Sequence, residues 1–341
     1  MSMNRRRMLR VSLGGLGAIG LGVLGWSAWP RKKGGATAGD SLQLIRREGR
    51  ALGTQVSITV LHADAAQADR AIAAAFAELD AVEDLMSIYR PNSQLSRLNR
   101  EGVLRQPDAK LLTVLRYAQK LSSETGGAFD VTVQPLWNTY AQAQKADRLP
   151  GADELAAARA KVNWQRVAVA QQQVRLLDEG MAITLNGIAQ GFAADRVAAV
   201  LREHGIEQAL VDTGELGAIG AKATGEPWKV GIQHPRVNDA FISLAALKDR
   251  CLATSGDYAT AFSQDRTMHH VFDPRTGYSP TGYMSVSVAA PTAMQADALS
   301  TALFVMDMGQ GLTLIERMPG VDAMFVLPDG TTRRTAGFPV A

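Results

Sequence analysis

The sequence predicts an α+β protein, in which helices and strands are interspersed without a regular βαβ alternation. Three observations support this class. The 341 residues are 46% hydrophobic and 20% charged, as is typical of a globular protein. No internal repeat or low-complexity linker divides the chain after about residue 40. Short apolar or alternating segments occur between longer Ala-rich ones, which predicts mixed or antiparallel sheets with flanking helices, arranged in one or two lobes.

The first predicted element is a strand at 52–61, where Val56, Ile58 and Val60 alternate with polar residues. Helices are expected where Ala, Leu and charged residues lie between favourable start and stop residues: 64–86, 107–125, 151–161 and 189–204. Further strands are expected where short apolar segments lie between turn-forming residues: 167–169, 174–177, 181–185, 208–211, 228–233, 241–247, 284–289 and 323–327. A last helix should begin at Thr292, because Thr292 and Gln295 have the spacing of a capping box.

The basic charge of the chain is concentrated at its N-terminus. The whole sequence has 36 Lys and Arg against 33 Asp and Glu, but seven of the bases and none of the acids lie in residues 1–38. The remainder is acidic, so the charge gives no support for nucleic-acid binding. The single cysteine, Cys251, excludes an intramolecular disulfide and a multi-cysteine zinc site.

Residues 1–38 resemble a twin-arginine signal peptide, which leaves 39–341 as the folded domain. Arg5 and Arg6 precede an uncharged, Gly-rich apolar segment at 11–29, and Ala36-Thr37-Ala38 offers a cleavage site. We therefore expect export by the twin-arginine machinery to the periplasm. An uncleaved N-terminal anchor remains open, because 19 apolar residues are just enough to span a bilayer.

The first candidate for chemistry is the pair Asp297 and Thr301. They are four residues apart on the predicted helix after Thr292, so they share one face. A carboxylate and a hydroxyl are hard oxygen ligands that suit Mg²⁺ beside a phosphate. The alternative is a solvent-facing Asp and a Thr that bonds to its own helix. Asp297 lies too far into the helix to cap it, so we expect no capping role for it.

The second candidate is the segment 269–277, where His269 and His270 precede an Asp-Pro-Arg-Thr-Gly turn. Adjacent residues of an extended segment point to opposite sides, so the two histidines are not expected to share a metal. One of them is a candidate general base, and a buried, hydrogen-bonded histidine is the alternative.

The third candidate is the segment 184–195, in which small residues lead from a predicted strand into a helix. Backbone N–H groups at a helix start suit an anion such as a pyrophosphate. Small residues also simply allow a strand and a helix to pack closely, and that alternative stays open.

Taken together, these segments resemble the ApbE family of FAD:protein FMN transferases. Eight blocks follow the order of the family: 52–54, 86–93 with 96–99, 127–130, 184–195, 227–228, 255–257, 270–277 and 296–301. The resemblance extends from about Leu52 to Leu327. The exported N-terminus, the Gln in Gly-Ile-Ala-Gln-Gly and the Val-Gly-Ile-Gln-His-Pro stretch are similar to the NosX branch, which serves nitrous oxide reductase maturation in denitrification.

The resemblance implies Mg²⁺-dependent attack by a Thr hydroxyl of a partner protein on the FMN-side phosphorus of FAD, with release of AMP. It implies that the partner is a membrane-bound electron-transfer protein with an Asp-x-x-Thr-Gly-Ala-Thr-like stretch, which this chain does not itself contain. Asp297, Thr301 and the carbonyl of Gly187 would bind Mg²⁺, and His270 or Asp273 would accept the proton. The residues implied to contact FAD are Leu52, Tyr89, Ala128, Phe129, Asp130, Thr184, Gln190 and Val271.

Two positions depart from the family pattern. The family usually has Asp where Thr184 stands, and Lys or Glu where Gln190 stands. If the usual residues pair, Thr184 and Gln190 would form a neutral hydrogen-bonding couple. The departures leave two other functions open, namely a periplasmic FAD-binding accessory protein without catalysis and an FAD pyrophosphatase that uses water.

Overall fold

A computed structural model describes residues 42–341, so the predicted signal peptide at 1–38 lies outside the described residues. The α+β prediction is confirmed, and the sheets are antiparallel throughout. The helices are α1 (Ala65–Met86), α2 (Gln94–Glu101), α3 (Ala109–Glu124), α4 (Gln134–Lys145), α5 (Ala152–Arg159), α6 (Ala189–Glu203), α7 (Ala293–Val305) and α8 (Met308–Ile315). The strands are β1 (Gln43–Ala51), β2 (Thr54–His62), β3 (Val103–Arg105), β4 (Val167–Val169), β5 (Gln173–Leu176), β6 (Ala209–Asp212), β7 (Leu216–Ile219), β8 (Trp228–Gln233), β9 (Phe241–Leu247), β10 (Cys251–Gly256), β11 (Ser285–Ala290), β12 (Asp322–Val326) and β13 (Thr332–Arg334).

The main sheet has eight strands in the order β1-β2-β6-β7-β10-β11-β12-β13. Its alternating residues separate two layers of core. Val211 and Ala253 face the core that contains α1, α6 and α7, whereas Leu210 and Leu252 face the hairpin of β8 and β9. Because successive side chains of a strand point to opposite faces, the sheet is covered by helices on one side and by this hairpin on the other.

A smaller hydrophobic cluster joins α4 and α5 to the loop that follows β10. Its buried members include Leu136, Tyr140 and Phe272, and the rings of Tyr140 and Phe272 stack with centroids 5.0 Å apart. This cluster is small beside the main core, so the described chain is not divided into two comparable lobes.

Two local predictions are wrong. Residues 181–185 form no strand, because Ile183 exchanges both backbone hydrogen bonds with the Asn99 side chain and the Thr184 amide donates to the Val131 carbonyl. The predicted strand at 52–61 begins at Thr54, and its partner β1 was not predicted, since only Ile45 and Ala51 of this charged edge strand are buried. No helix in residues 42–341 combines the length and apolarity needed to cross a bilayer.

Candidate active site

One cavity brings together twelve of the thirteen site residues that the sequence proposed. It lies where the β1–β2 turn, the starts of α6 and α7, the end of β10 and the following loop meet. The residues of the prediction that line it are Leu52, Tyr89, Ala128, Phe129, Asp130, Thr184, Gly187, Gln190, His270, Val271, Asp297 and Thr301. Asp273 is the exception. Segments that are far apart in the sequence therefore meet at one site.

Asp297 does have a capping role, contrary to expectation, but for a different helix. Its Oδ2 accepts a hydrogen bond from the Gly191 amide in the first turn of α6, at 2.9 Å. In return, the Asp195 carboxylate of α6 accepts from the Ala293 and Met294 amides in the first turn of α7, at 2.7 and 2.9 Å. Each helix thus supplies the cap of the other, and their starts are fixed relative to each other.

The two helices approach so closely that glycine is required at the contact. A Cβ on Gly191 would overlap the Ala293 carbonyl and lie 2.7 Å from the Asp297 Cβ. A Cβ on Gly187 would lie 2.8 Å from the Thr301 Oγ1. Glycine at these positions therefore lets the backbone before α6 reach the Asp297 and Thr301 side chains.

Asp297 is buried, with 3% of its surface exposed, so the alternative of a solvent-facing Asp is excluded. Burial raises the pKa of Asp297 to about 7, the Gly191 N–H opposes this rise, and the Asp195 charge adds to it. The Thr301 hydroxyl lies 3.2 Å from the Ser255 hydroxyl of β10. A buried carboxylate with a raised pKa is one that a bound cation would stabilise in its charged form.

These groups fit a magnesium ion. Within the described residues, no three His, Cys, Asp or Glu side chains come together as a metal cluster. The donors are instead a carboxylate, a hydroxyl and the backbone beside Gly187, which are hard oxygen ligands. Mg²⁺ commonly uses one or two protein carboxylates and takes its other ligands from water and phosphate.

The neighbouring histidines have different hydrogen bonds. His269 is buried, its Nε2 donates to the Pro280 carbonyl at 2.9 Å, and its Nδ1 accepts from the Val271 amide at 3.3 Å. His270 lines the cavity, and its Nδ1 lies 3.3 Å from the Thr260 carbonyl. A carbonyl only accepts, so Nδ1 carries the hydrogen and Nε2 carries the lone pair. His269 is therefore structural, and His270 is the candidate base.

Burial, and next the nearby His269, lower the pKa of His270 to about 4, so its ring is neutral at pH 7. A neutral imidazole with its Nε2 lone pair unbound can accept a proton. The structure gives this Nε2 no hydrogen-bond partner among residues 42–341.

Asp273 is a poorer candidate than His270 for the group that accepts the proton. It does not line the cavity, and its carboxylate makes two hydrogen bonds with the Arg275 guanidinium, at 2.8 and 2.9 Å. The Arg275 amide donates to the same carboxylate. These contacts hold the Asp273 carboxylate within its own turn. The turn-forming role of the Asp-Pro-Arg-Thr-Gly pattern therefore accounts for this residue.

Several apolar side chains form an apolar wall in the same cavity. Met86, Ile88, Phe129, Trp137 and Val271 line it. Such a wall suits a flat aromatic ring.

Leu52 reaches this cavity from a two-residue hairpin turn in which it adopts a left-handed conformation, with φ of +53°. That conformation is unfavourable for leucine, so the surrounding fold must impose it. Tyr89 lines the same cavity, and partial burial of its hydroxyl raises the pKa of that group, against a hydrogen bond with the Asn186 side chain.

Some of the side chains that were predicted to contact the flavin make hydrogen bonds to other parts of the protein. Asp130 accepts from the amide and hydroxyl of Thr132 and from the Trp164 amide. Thr184 Oγ1 accepts from the Asn186 amide at 3.3 Å, and the structure gives no hydrogen bond between the Thr184 and Gln190 side chains. The proposed neutral couple of Thr184 and Gln190 is therefore not seen.

Sequence reasoning missed Glu215, which lines the cavity with 8% of its surface exposed. A signal was present, because Glu215 is an acid placed directly after a glycine and between two apolar strands. Ser255 also lines the cavity, and the Ser255-Gly256-Asp257 segment was recognised without a role.

An antiparallel sheet covered by helices whose starts present oxygen donors beside an apolar wall defines an α+β ligand-binding protein. The model of the ApbE family matches residues 52–325, and the chain belongs to this family. Two curated FAD:protein FMN transferases are similar to it. The one from Treponema pallidum (strain Nichols) is 33% identical over 80% of this chain and 81% of its own length. The one from Vibrio cholerae is 35% identical over 70% of this chain and 74% of its own length.

Solved structures agree with the family assignment. The flavin transferase ApbE from Vibrio cholerae has a TM-score of 0.75 at 28% identity, over 86% of this chain and 97% of that one. The ApbE protein from Thermotoga maritima has a TM-score of 0.77 at 29% identity, over the same shares. The fold and the family resemblance predicted from the sequence are thereby confirmed.

Proposed function

We propose that this chain is an enzyme that transfers the FMN part of FAD to a hydroxyl of a partner protein and releases AMP. The observation that carries the proposal is that Asp297, Thr301 and the backbone at Gly187 share one cavity with His270. The apolar wall would take the flavin ring. Curated relatives of the same family are named for this transfer, which supports the same activity here.

The charge of the cavity supports Mg²⁺ as a requirement. Three acidic side chains line it, those of Asp130, Glu215 and Asp297, and no Lys or Arg of residues 42–341 does so. A pyrophosphate carries negative charge, so these side chains in their ionised form would repel it without a cation. Bound Mg²⁺ would neutralise that charge and polarise the phosphoryl oxygens. Asp297, Thr301 and the Gly187 carbonyl would hold it.

His270 has the protonation state that the transfer needs. The hydroxyl oxygen of an acceptor threonine forms a bond to the FMN-side phosphorus, and the bond from that phosphorus to the AMP oxygen breaks. The hydroxyl proton passes to the His270 Nε2. Thr260 would keep the ring oriented through Nδ1, and holding both reactants in one cavity supplies the positioning.

One assay tests this function. Purified protein is incubated with FAD, Mg²⁺ and a peptide that contains Asp-x-x-Thr-Gly-Ala-Thr, and AMP, free FMN and the peptide mass are followed. We expect AMP together with a peptide heavier by one FMN phosphoester, and none of either in EDTA. AMP with free FMN and an unchanged peptide would identify an FAD pyrophosphatase. FAD binding without AMP would identify an accessory protein.

The location and partner belong to the same proposal. We propose twin-arginine export to the periplasm and an acceptor that is a membrane-bound electron-transfer protein, as in the NosX branch. Replacing Arg5 and Arg6 by Lys should leave the precursor in the cytoplasm, because lysines do not replace the arginine pair of such a signal. Unchanged delivery of that variant to the periplasm would contradict the export route.

A further inference from the structure

Glu215 is a buried carboxylate with an oxygen that nothing in the described chain satisfies. Its Oε2 is shielded from solvent and has no hydrogen-bond partner. The Thr254 amide is its one favourable neighbour in the backbone. Most buried polar groups in proteins are hydrogen-bonded, and one that lines a cavity without a partner indicates a missing ligand.

The surroundings of Glu215 restrict what that ligand is. Its nearest charges are the carboxylates of Asp297 and Asp212, and both disfavour a further negative charge. Among the residues that the structure describes, no Lys or Arg lines the cavity and could pair with Glu215. Asp212 has its own partner, since its Oδ1 accepts from the Gly214 amide at 3.0 Å. The partner that the Glu215 Oε2 lacks would therefore come from a bound species.

We infer that Glu215 is a further acidic residue of the cation site, which binds the ion itself or one of its water ligands. This inference rests on the proposed function, because it concerns the ion held by Asp297 and Thr301. Mg²⁺ keeps several of its waters when protein carboxylates bind it, and a second carboxylate in the cavity is suited to accept hydrogen bonds from them. Gly214, with φ of +97°, makes the turn that places Glu215 in the lining.

The same carboxylate has one competing use. A hydroxyl of the ribityl chain or ribose of FAD would also donate to it, without any metal. The two uses differ in what happens when flavin is absent, because only a cation ligand affects metal affinity in the flavin-free protein.

The test measures Mn²⁺ binding to the flavin-free protein by electron paramagnetic resonance of free Mn²⁺. We expect Glu215→Gln to weaken Mn²⁺ binding by about 10- to 100-fold, as is typical when a group that supports a metal site is removed. Asp212→Asn is the matched control, because it removes a neighbouring, partly buried acid that has its own partner, and its Mn²⁺ affinity should stay within about 2-fold. Glu215→Asp keeps the charge and should retain more affinity than Glu215→Gln.

A thermal melt of each variant supplies a second readout. Without metal, Glu215→Gln should melt at or above the temperature of the wild type, since Gln keeps the shape of the side chain and has no ionised form for burial to disfavour. Mn²⁺ should then raise its melting temperature less than that of the wild type.

A Gln variant that folds and binds Mn²⁺ as the wild type does would overturn the inference alone. A wild type that binds no Mn²⁺, or binds it equally after Asp297→Ala, would overturn the metal part of the proposed function and this inference with it. Unchanged Mn²⁺ affinity with weaker FMN binding in EDTA would assign Glu215 to the flavin.

Discussion

The two sides of the cavity are built in different ways. Asp297 and Thr301 lie on α7, a helix of 13 residues whose start is capped by Asp195 of α6. His270 lies in residues 257–284, which connect β10 to β11 without a helix or a named strand. That loop is held by local contacts, such as the bonds of Ser279 to the amide and carbonyl of His269.

The difference between a capped helix and a loop matches the roles that we propose for these two sides of the cavity. Holding a cation against a pyrophosphate requires fixed distances, and helices that cap each other provide them. Accepting a hydroxyl from another protein requires an accessible group, and loops supply most such groups. The comparison can be tested by weakening each side separately, starting with the change of largest expected effect.

Asp297→Ala should lower Mg²⁺-dependent AMP release by about 10³-fold, because a bound metal is worth several kcal/mol of transition-state stabilisation. It should also destabilise the protein by about 1–3 kcal/mol, since the buried Gly191 amide loses its acceptor. Asp297→Asn keeps an oxygen for Gly191 and should restore the stability but not the activity. Denaturant melts and AMP assays of both variants measure these effects, and normal metal-dependent turnover in either would refute the site.

His270→Gln should lower FMN transfer by about 10²–10³-fold while leaving Mn²⁺ binding unchanged, because the loss is confined to proton transfer. His269→Gln is the matched control and should mainly lower the melting temperature, as both ring nitrogens of His269 are hydrogen-bonded. Rates of peptide flavinylation and thermal melts distinguish the two variants. Equal loss of transfer in both variants would contradict the assignment of the base to His270.

Asp195→Ala should weaken Mn²⁺ binding by about 10-fold, although Asp195 does not line the cavity. The reason is that α7 loses the acceptor for two of its first amides, so Asp297 is held less firmly. Asp195→Asn retains one acceptor and should fall between this variant and the wild type. Mn²⁺ titration checks the order, and an Ala variant with wild-type affinity would show that the mutual capping is only structural.

Asp212→Asn should have the smallest effect, on stability alone. Burial raises the pKa of Asp212 to about 6, whereas an unfolded Asp titrates near 4. Between pH 4 and 6 the folded chain therefore binds more protons than the unfolded one, and this carboxylate makes stability fall as pH rises through that window. Relative to the wild type, the variant should be more stable by about 1–2 kcal/mol at pH 7.5 and no more stable at pH 4. A difference that does not change between these two pH values in urea melts would contradict the assigned pKa.

The sequence predicted those elements whose residues carry a local signal. Asp64 and Asp108 cap α1 and α3 as the pattern of start residues indicated. β7 and β10 were not predicted, because their short segments contain Gly, Ser and Thr and lie between two layers of core. Residues 181–185 look like a strand locally, and only the distant Asn99 side chain shows why they are not one.

The sequence predicted which residues line the site, but not the hydrogen bonds that hold them in place. The order of the segments identified twelve residues that do line one cavity. The mutual caps join residues about 100 positions apart, and the tautomer of His270 depends on the Thr260 carbonyl, so no local pattern contains them. The family resemblance itself drew attention to Asp273, whose carboxylate is bound by its neighbour Arg275.

The mutual caps of α6 and α7 also have a consequence for how the protein folds. Asp195 and Ala293 are separated by 98 positions in the sequence, and Gly191 and Asp297 by 106. Contacts of such long range form slowly, because a long loop of chain must close before they contribute any stability. The caps between α6 and α7 can form only after the two helix starts have come together. In refolding experiments, recovery of cation binding should therefore coincide with the last cooperative phase.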